Sequence, residues 1–451
     1  MTQKKIKCML VDPPFHAFFE YNRWWFSYAC TQLAACLEEA GIETCVYDAD
    51  KYFKKDPATE NREEMVRRQD WLQKGLADDN HYVWKHFIKD LERIRPDIVG
   101  FSTWTSKHAS TLKMIKICKS VLPEVTVCVG GYHATAVPED FEQNELVDAI
   151  FIGHADMTLP KWILGGCREK VIRANPRDTD IRKLPFPSRK SLLHQENYSP
   201  TDMGMVMSSR GCPYDCTFCS NELLTQFKYT QYPIDQFSRE LKHLVDTYKV
   251  DYIALSDANF LVNLKRSLEI AGAIKQFNIP WGCEGRIDSI TDELVEGLME
   301  SGCTNISFGI EAGSDKELEL LSKGITIKDI LRAKEILNRH KMTWKCFFII
   351  GFPHQTLVDM DNTNRFALSL DASFISLNSF VPLPGTKIWD SYKDVFAKNP
   401  NIYNFNQLSP SADFIPNVSS QEYKEKFSEV LKSFEDYNKR MKANRDFFGG
   451  S

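Results

Sequence analysis

The 451-residue chain has no long apolar run, and nothing in it approaches the ~18 uncharged apolar residues that a membrane-spanning helix needs. Its opening residues lead through a short apolar strand into Pro13 and Pro14 without the apolar centre of a secretory leader, so the expected location is the cytoplasm, with no membrane partner. A long basic block is also missing, and the formal net charge is -5, so no nucleic-acid partner is expected. There is no sign of a disulfide framework: the 13 cysteines are odd in number and mostly scattered, which suits a reducing compartment. What remains, at 43% hydrophobic and 26% charged residues, is the composition of an ordinary globular protein. Its length suits about three domains.

One stretch, from Ser208 to Ser220, breaks the scatter. It sets Cys212, Cys216 and Cys219 close together behind the apolar Met205, Val206 and Met207. Thiolates at this spacing suit a soft metal centre, either zinc or an iron-sulfur cluster. Structural zinc needs four closed ligands, usually in two spaced pairs, and no CxxC or CxxH partner follows within reach. Three ligands suit a 4Fe-4S cluster with one iron left open to a small molecule. The plainer reading is a chance group of structural cysteines.

Upstream, strands over 6–11, 43–47, 97–102, 125–130 and 149–153 alternate with helices over 27–40 and 109–121, which predicts a doubly wound parallel sheet. The charged 51–89 segment reads as an insertion with its own helices. In such a sheet, ligands bind at the carboxyl ends of the strands. Those ends hold Asp12, Pro13 and Pro14, then Ser102, Thr103 and Trp104, then Gly130, Gly131, Tyr132 and His133, and last Gly153 and His154. Glycines there let a flat ligand approach the backbone; the loop aromatics Trp24 and Trp25 are candidates to close above a substrate. Taken singly, His16, His133 and His154 read as loop or core histidines. The proline-rich 166–200 segment reads as a linker.

From Met205 a second alternation places strands over 205–209, 252–256, 280–284, 305–310, 343–350 and 374–380, with helices between them. Six such units predict a partial (β/α)6 barrel with its chemistry at the carboxyl ends of the strands. Beyond 390 an amphipathic helix over 420–441 carries Tyr423, Phe427, Val430, Leu431 and Phe434 at helical spacing. The expected domains are therefore 1–165, a linker over 166–200, a barrel over 201–390 and a helical region over 391–451. Tyr214, Trp281, Trp344, Cys346 and Asn378 are candidate substrate neighbours, or else core packing.

The CxxxCxxC spacing, with Phe218 before the last cysteine, closely resembles the signature of radical S-adenosylmethionine (SAM) enzymes. PDIVGFST, VCVGGYHAT and FIGHADMTL resemble the cobalamin-binding domain that precedes many of them. CEGRID, SFGIEAGSDKELELLSKG, GFPHQT and FVPLPGTKIW match the subgroup carrying both. The resemblance implies a 4Fe-4S cluster on Cys212, Cys216 and Cys219, and a SAM pocket lined by Phe218, Ser256, Asp257, Asn259, Arg286, Gly309, Glu311 and Gly351. In it Glu311 would accept from the ribose hydroxyls and Arg286 would pair with the carboxylate; read singly, both are equally rim ion-pair partners. Cobalamin would lie at the strand ends of the first domain, unless that sheet is kept as a scaffold or lid.

Two departures bear on cobalamin. His16 follows Asp12 at the wrong spacing for an axial histidine, and Gly153-His154-Ala155-Asp156 replaces the usual Gly-Glu-Gly-Glu. The corrin is then expected without a protein histidine on cobalt. The resemblance implies methyl transfer to an unactivated carbon, less often phosphorus, through a 5'-deoxyadenosyl radical. Radical cyclisation, ring contraction or carbon-carbon coupling without methyl transfer is the alternative, and a non-catalytic corrin or redox sensor is another. Implied partners are a small-molecule or peptide substrate and a one-electron reductant of the flavodoxin or ferredoxin type.

Overall fold

A computed structural model describes residues 5–21, 25–51, 62–175, 179–409 and 412–441. Trp24 and the 52–61 part of the expected insertion lie outside the described residues. The chain divides into two compact units, one of residues 1–202 with 223–226 and 383–385, the other of 203–222, 227–382 and 386–451.

The first unit is built on β1 (Lys7–Asp12), β2 (Glu43–Asp48), β3 (Ile98–Ser102), β4 (Thr126–Gly130), β5 (Ala149–Ile152) and β6 (Val171–Arg173). They lie in the order β2-β1-β3-β4-β5-β6, and all pairings are parallel. Such strands are covered on both faces, which is why β1 and β3 read as near-continuous apolar runs. The strand order reverses between β1 and β3, the usual place for a ligand crevice. There Lys107 Nζ lies 2.5 Å from Asp12 and 3.2 Å from Asp50, and Asp50 also accepts from Phe15 N at 2.8 Å and Ala17 N at 3.0 Å. All three charges are buried, and each is compensated.

The described part of the expected insertion holds the helices Arg62–Arg67, Gln69–Ala77 and Tyr82–Ile94. The last sends Val83, Trp84, Phe87 and Leu91 into the core of the unit, so this segment supplies part of a helical layer. The 166–200 segment, expected as a linker, carries β6 and packs on the same unit. Gln32 Nε2 donates to Pro185 O at 2.9 Å, Ser188 N donates to Thr31 O at 2.9 Å, and Leu192 bridges to Val46. A three-residue strand is too short to show a period, which hid it among the prolines.

The second unit holds β7 (Met205–Val206), β8 (Ser209–Arg210), β9 (Thr230–Gln231), β10 (Ile253–Leu255), β11 (Trp281–Gly285), β12 (Cys303–Glu311), β13 (Thr343–Ile350) and β14 (Phe374–Ser379). Six of these form a parallel sheet in the order β14-β13-β12-β11-β10-β7, the expected partial barrel. The register aligns Glu284, Ser307, Lys345 and Phe374 in one row across four strands, on the inward face. Trp281, Trp344 and Cys346 take the opposite face. Trp281 Nε1 donates to Ser301 O at 3.1 Å and Trp344 Nε1 to Asn338 Oδ1 at 3.0 Å, both on the helical layer. These three are core residues, fully buried, and burial pushes the Cys346 thiol well up. Asn378 does lie on the inward face, in register with Ile349.

The helix Ser420–Met441 buries the expected stripe, Tyr423 to Phe434. Its Tyr423 hydroxyl donates to Ile350 O at 3.1 Å and shares a bond with Ser379 Oγ at 2.7 Å. Gly351 follows with φ +93°, and a Cβ there would collide with that hydroxyl. Gly351→Ala should therefore lower the unfolding free energy by about 2–4 kcal/mol through strain and overpacking. In urea titrations, adding Tyr423→Phe should cost less than the two single losses combined.

Candidate active site

The cysteine loop is built by a break in the strand that leads to it. The sequence predicts one strand over 205–209, but the structure splits it into β7 and β8 at Met207 and Ser208. Asp257, just past β10, causes the break: it accepts from Ser208 N at 2.6 Å, Ser208 Oγ at 2.6 Å and Ser209 Oγ at 2.7 Å. Burial pushes its carboxyl up, and these bonds pull it back. After the break, β8 pairs antiparallel with β9, and the chain turns out into the thiols.

The loop is held at several points downstream. Thr217 N donates to Leu321 O at 3.0 Å and Thr217 Oγ1 to Leu320 O at 3.5 Å. Ile388 N donates to Thr217 O at 2.9 Å, Lys387 pairs with Asp215, and Phe218 meets Phe352 edge to face at 5.8 Å. Cys212 and Cys216 are half-buried, and Cys219 is exposed. Surrounding protein still pushes the Cys219 thiol up to about 11, with Asn221 N opposing the rise and Cys216 and Cys212 adding to it. Burial also raises Cys216, while Lys323 and Arg286 pull it down. The three thiols therefore converge closely enough to act on one another, beside two cations that favour the thiolate form. That donor set fits an anionic cluster on three cysteines. The remaining cysteines of the unit, Cys283, Cys303 and Cys346, are buried in strands.

Glu311 stands beside the loop at the end of β12, where the register to β13 shifts, with φ 71°. Its carboxylate is buried against Lys323 Nζ at 2.9 Å, and a Cβ at Gly309 would strike it, so Gly309 is needed for that side chain's position. Arg286 lies 3.8 Å above the centre of the Tyr214 ring and donates to Lys323 O at 2.5 Å, Gly324 O at 3.0 Å and Asp288 at 3.2 Å. Both residues thus have protein partners as well as a place at the site. Asn259 Oδ1 accepts from Leu261 N at 3.1 Å and Arg286 N at 3.3 Å, which fixes the amide orientation. Its Nδ2 is buried without a partner among the described residues, an unspent donor beside Arg286. Ser256 is half-buried, its N–H given to Val206 O at 2.9 Å.

Around the cysteine loop the structure gathers Phe218, Arg286, Gly309, Glu311 and Asn259. Asp257 spends its carboxylate on the loop, and Gly351 makes room for Tyr423. Lys323 escaped the sequence reading: it stands between exposed Ser322 and Gly324, and nothing local marks it as buried. Glu284 and Lys345 were missed as inward-facing groups.

Behind Glu311, Glu317 is buried and accepts from Gln355 Nε2 at 2.6 Å and Thr363 Oγ1 at 3.4 Å. Burial pushes its carboxyl from 4.5 up to about 7, against the bond from Gln355. The folded state keeps this proton after the unfolded chain has lost it, so the stability it contributes is full below about pH 4.5 and lost as pH rises through about 7. Glu317→Gln should stabilise the protein by up to about 3 kcal/mol at pH 8 and by almost nothing at pH 4. Chemical denaturation at the two pH values measures the difference.

In the first unit, Trp104 is 44% exposed and its ring lies 4.4 Å from that of Tyr132, beside Gly130 and Gly131. Gly131 has φ +94°, and a Cβ there would stand 2.7 Å from Thr103 O, so this glycine lets the ends of β3 and β4 close up. Gly153, at φ +87°, similarly faces Ala174 O. Ser102 is half-buried, and Thr103 Oγ1 donates to Gly130 O at 2.8 Å. Asp12 is held by Lys107, and Pro13 and Pro14 are buried. His133 is buried between Asp140 at 3.0 Å and Thr105 Oγ1 at 3.2 Å, His16 pairs with Asp50 at 3.2 Å, and His154 lies 4.0 Å from Asp156. An aromatic pair of exposed Trp104 and half-buried Tyr132 beside glycine backbone fits a flat macrocycle, and the carboxylates beside His16 and His133 fit a corrin held without them.

A three-thiol loop at the strand ends of a six-stranded partial barrel, in a chain with a second unit whose sheet order is of the flavodoxin type, defines a class of cluster-bearing enzyme. The Radical SAM superfamily model matches residues 206–367, and the B12 binding domain model matches 24–162. The chain is 31% identical over 338 residues to an uncharacterized methyltransferase of Pyrococcus horikoshii, covering 70% of this chain and 73% of that one. It is 24% identical over 449 residues to cytidylyl-2-hydroxyethylphosphonate methyltransferase of Streptomyces wedmorensis, covering 86% and 82%. In fold it is similar to the radical SAM methyltransferase TsrM of Kitasatospora setae, solved with cobalamin and a 4Fe-4S cluster bound, with TM-score 0.63, 15% identity and coverage of 94% and 82%. The chain belongs to the radical SAM superfamily, in the group that carries a B12-binding domain.

Proposed function

We propose that this chain is a cobalamin-dependent methyltransferase that delivers a methyl group to an unactivated carbon, or to phosphorus, of a small molecule or peptide. The observation that carries the reading is the convergence of Cys212, Cys216 and Cys219 with the Lys323–Glu311 pair and Arg286 at the strand ends of one barrel. When bound, the cluster with SAM supplies a 5'-deoxyadenosyl radical and cobalamin supplies a transferable methyl group.

The residues divide the work of binding. The three thiolates hold the cluster. Glu311, held by Lys323, accepts from the ribose hydroxyls, and Arg286 presents its guanidinium to the carboxylate of SAM. The unspent amide donor of Asn259 serves the same cosubstrate. Phe218, packed on Phe352, excludes water from one side. Trp104, Tyr132 and the backbone at Gly130 and Gly153 would hold the corrin, His16 and His133 being engaged by Asp50 and Asp140. A flavodoxin or ferredoxin supplies single electrons. All thirteen thiols are free, and among the described residues no helix is long and apolar enough to cross a membrane, which supports a reducing cytoplasmic setting.

Anaerobic reconstitution with iron, sulfide and hydroxocobalamin, followed by mass spectrometry of the products, tests this reading. Formation of both 5'-deoxyadenosine and S-adenosylhomocysteine is expected. 5'-Deoxyadenosine without S-adenosylhomocysteine would replace methyl transfer by cyclisation or coupling. Neither product would leave a sensor.

A further inference from the structure

We infer that Glu284 is the anchor of a substrate subsite inside the barrel, and that the substrate carries a cationic nitrogen, an ammonium or amidinium, beside an apolar group. The inference rests on the radical SAM reading above and goes beyond it to the class of substrate.

Four observations point the same way. Glu284 lies on the inward face of β11, in the row that continues through Ser307 and Lys345 to Phe374. It is two residues before Arg286, one pleat repeat or about 7 Å deeper along the strand than the cosubstrate residues. Water reaches its carboxylate, yet protein surrounds it closely enough that burial raises its pKa, Lys345 drawing it down and Glu311 pushing it up. Among the described residues, no hydrogen bond or ion pair within 4.0 Å engages that carboxylate.

A carboxylate aimed into the barrel, reached by water and with no hydrogen-bond or ion-pair partner within 4.0 Å, is open to a cation, and a ligand that closed over it without bringing one would strand its charge. A cationic ligand meets that need. Lys345 acts on the carboxylate only from a longer range, its ammonium lying over the rings of Phe347 at 4.4 Å and Phe374 at 5.0 Å. Those two rings give the apolar part of a ligand a surface next to the charge.

The test is calorimetric titration of the cluster-reconstituted chain with three molecules of one shape: 2-phenylethylamine, 2-phenylethanol and 3-phenylpropionate. The amine should bind roughly tenfold tighter than the alcohol, as a charge-assisted hydrogen bond requires. The gap should close in Glu284→Gln and persist in Glu284→Asp, with iron per chain as the check that each variant is folded. Equal affinity for amine and alcohol, preference for the propionate, no binding of any of the three, or an amine preference that survives Glu284→Gln overturns the inference. The titration needs no turnover, so the two readings fail separately. A chain that forms 5'-deoxyadenosine but shows no amine preference loses this subsite alone. A chain that binds the amine but never cleaves SAM loses the radical reading.

Discussion

Cys216→Ser should yield protein with almost no iron and no detectable 5'-deoxyadenosine after anaerobic reconstitution, and Cys212→Ser and Cys219→Ser should behave alike. Serine offers a hard oxygen that stays protonated at neutral pH, and three ligands leave no spare to compensate for the loss of one. Lys323 and Arg286 keep Glu311 and Asp288 as partners but lose the thiolate beside them, and SAM binding should weaken together with iron content. Cys167→Ser is the control, a half-buried cysteine of the first unit, and it should keep its iron. Elemental analysis and the visible absorption of the cluster decide the matter. A Cys216→Ser protein that holds iron and cleaves SAM would remove the basis of the proposed function.

The second large effect is expected at Asp257. Asp257→Ala leaves one backbone N–H and two hydroxyls of Ser208 and Ser209 facing a buried void, at a cost of about 3–5 kcal/mol. The loop entrance should loosen, iron should be lost, and proteolysis should cut between β8 and β9. Asp257→Asn should be far milder, below about 1.5 kcal/mol. Its carbonyl can keep the bond from Ser208 N, and both hydroxyls can turn to accept from the new amide. Burial raises the pKa of this carboxyl while the bonds from Ser208 and Ser209 lower it, so the comparison of the two variants separates the bonds from the charge. Urea unfolding and iron content of the two variants give the comparison; equal damage in both would mean that the negative charge itself holds the loop.

The alternation of apolar runs with amphipathic helices made both sheets legible, and the crowding of Cys212, Cys216 and Cys219 made the loop legible. Which face a strand residue takes was not. Parallel strands are covered on both sides, so Trp281 and Glu284, three residues apart on β11, carry no alternation of hydropathy to tell inside from outside. A shift of one position exchanges the two faces. In the sequence Trp281, Trp344 and Cys346 are therefore open between substrate contact and core packing, which the structure decides for the core, and Lys345 went unread between them. The break between β7 and β8 was hidden for another reason: its cause, Asp257, lies 49 residues away from Ser208. The polar 166–200 segment read as a linker because β6 and the contacts of Pro185, Ser188 and Leu192 are single long-range anchors, without periodicity.

The five residues 320–324 grip three things at once. The carbonyls of Leu320 and Leu321 hold Thr217 inside the cysteine loop, the ammonium of Lys323 holds Glu311, and the carbonyls of Lys323 and Gly324 hold Arg286. A yoke of this kind gives the iron and the nucleoside no independent play. Whatever displaces the one drags the other with it, so a damaged cluster should announce itself as a slack grip on ribose before any chemistry is attempted.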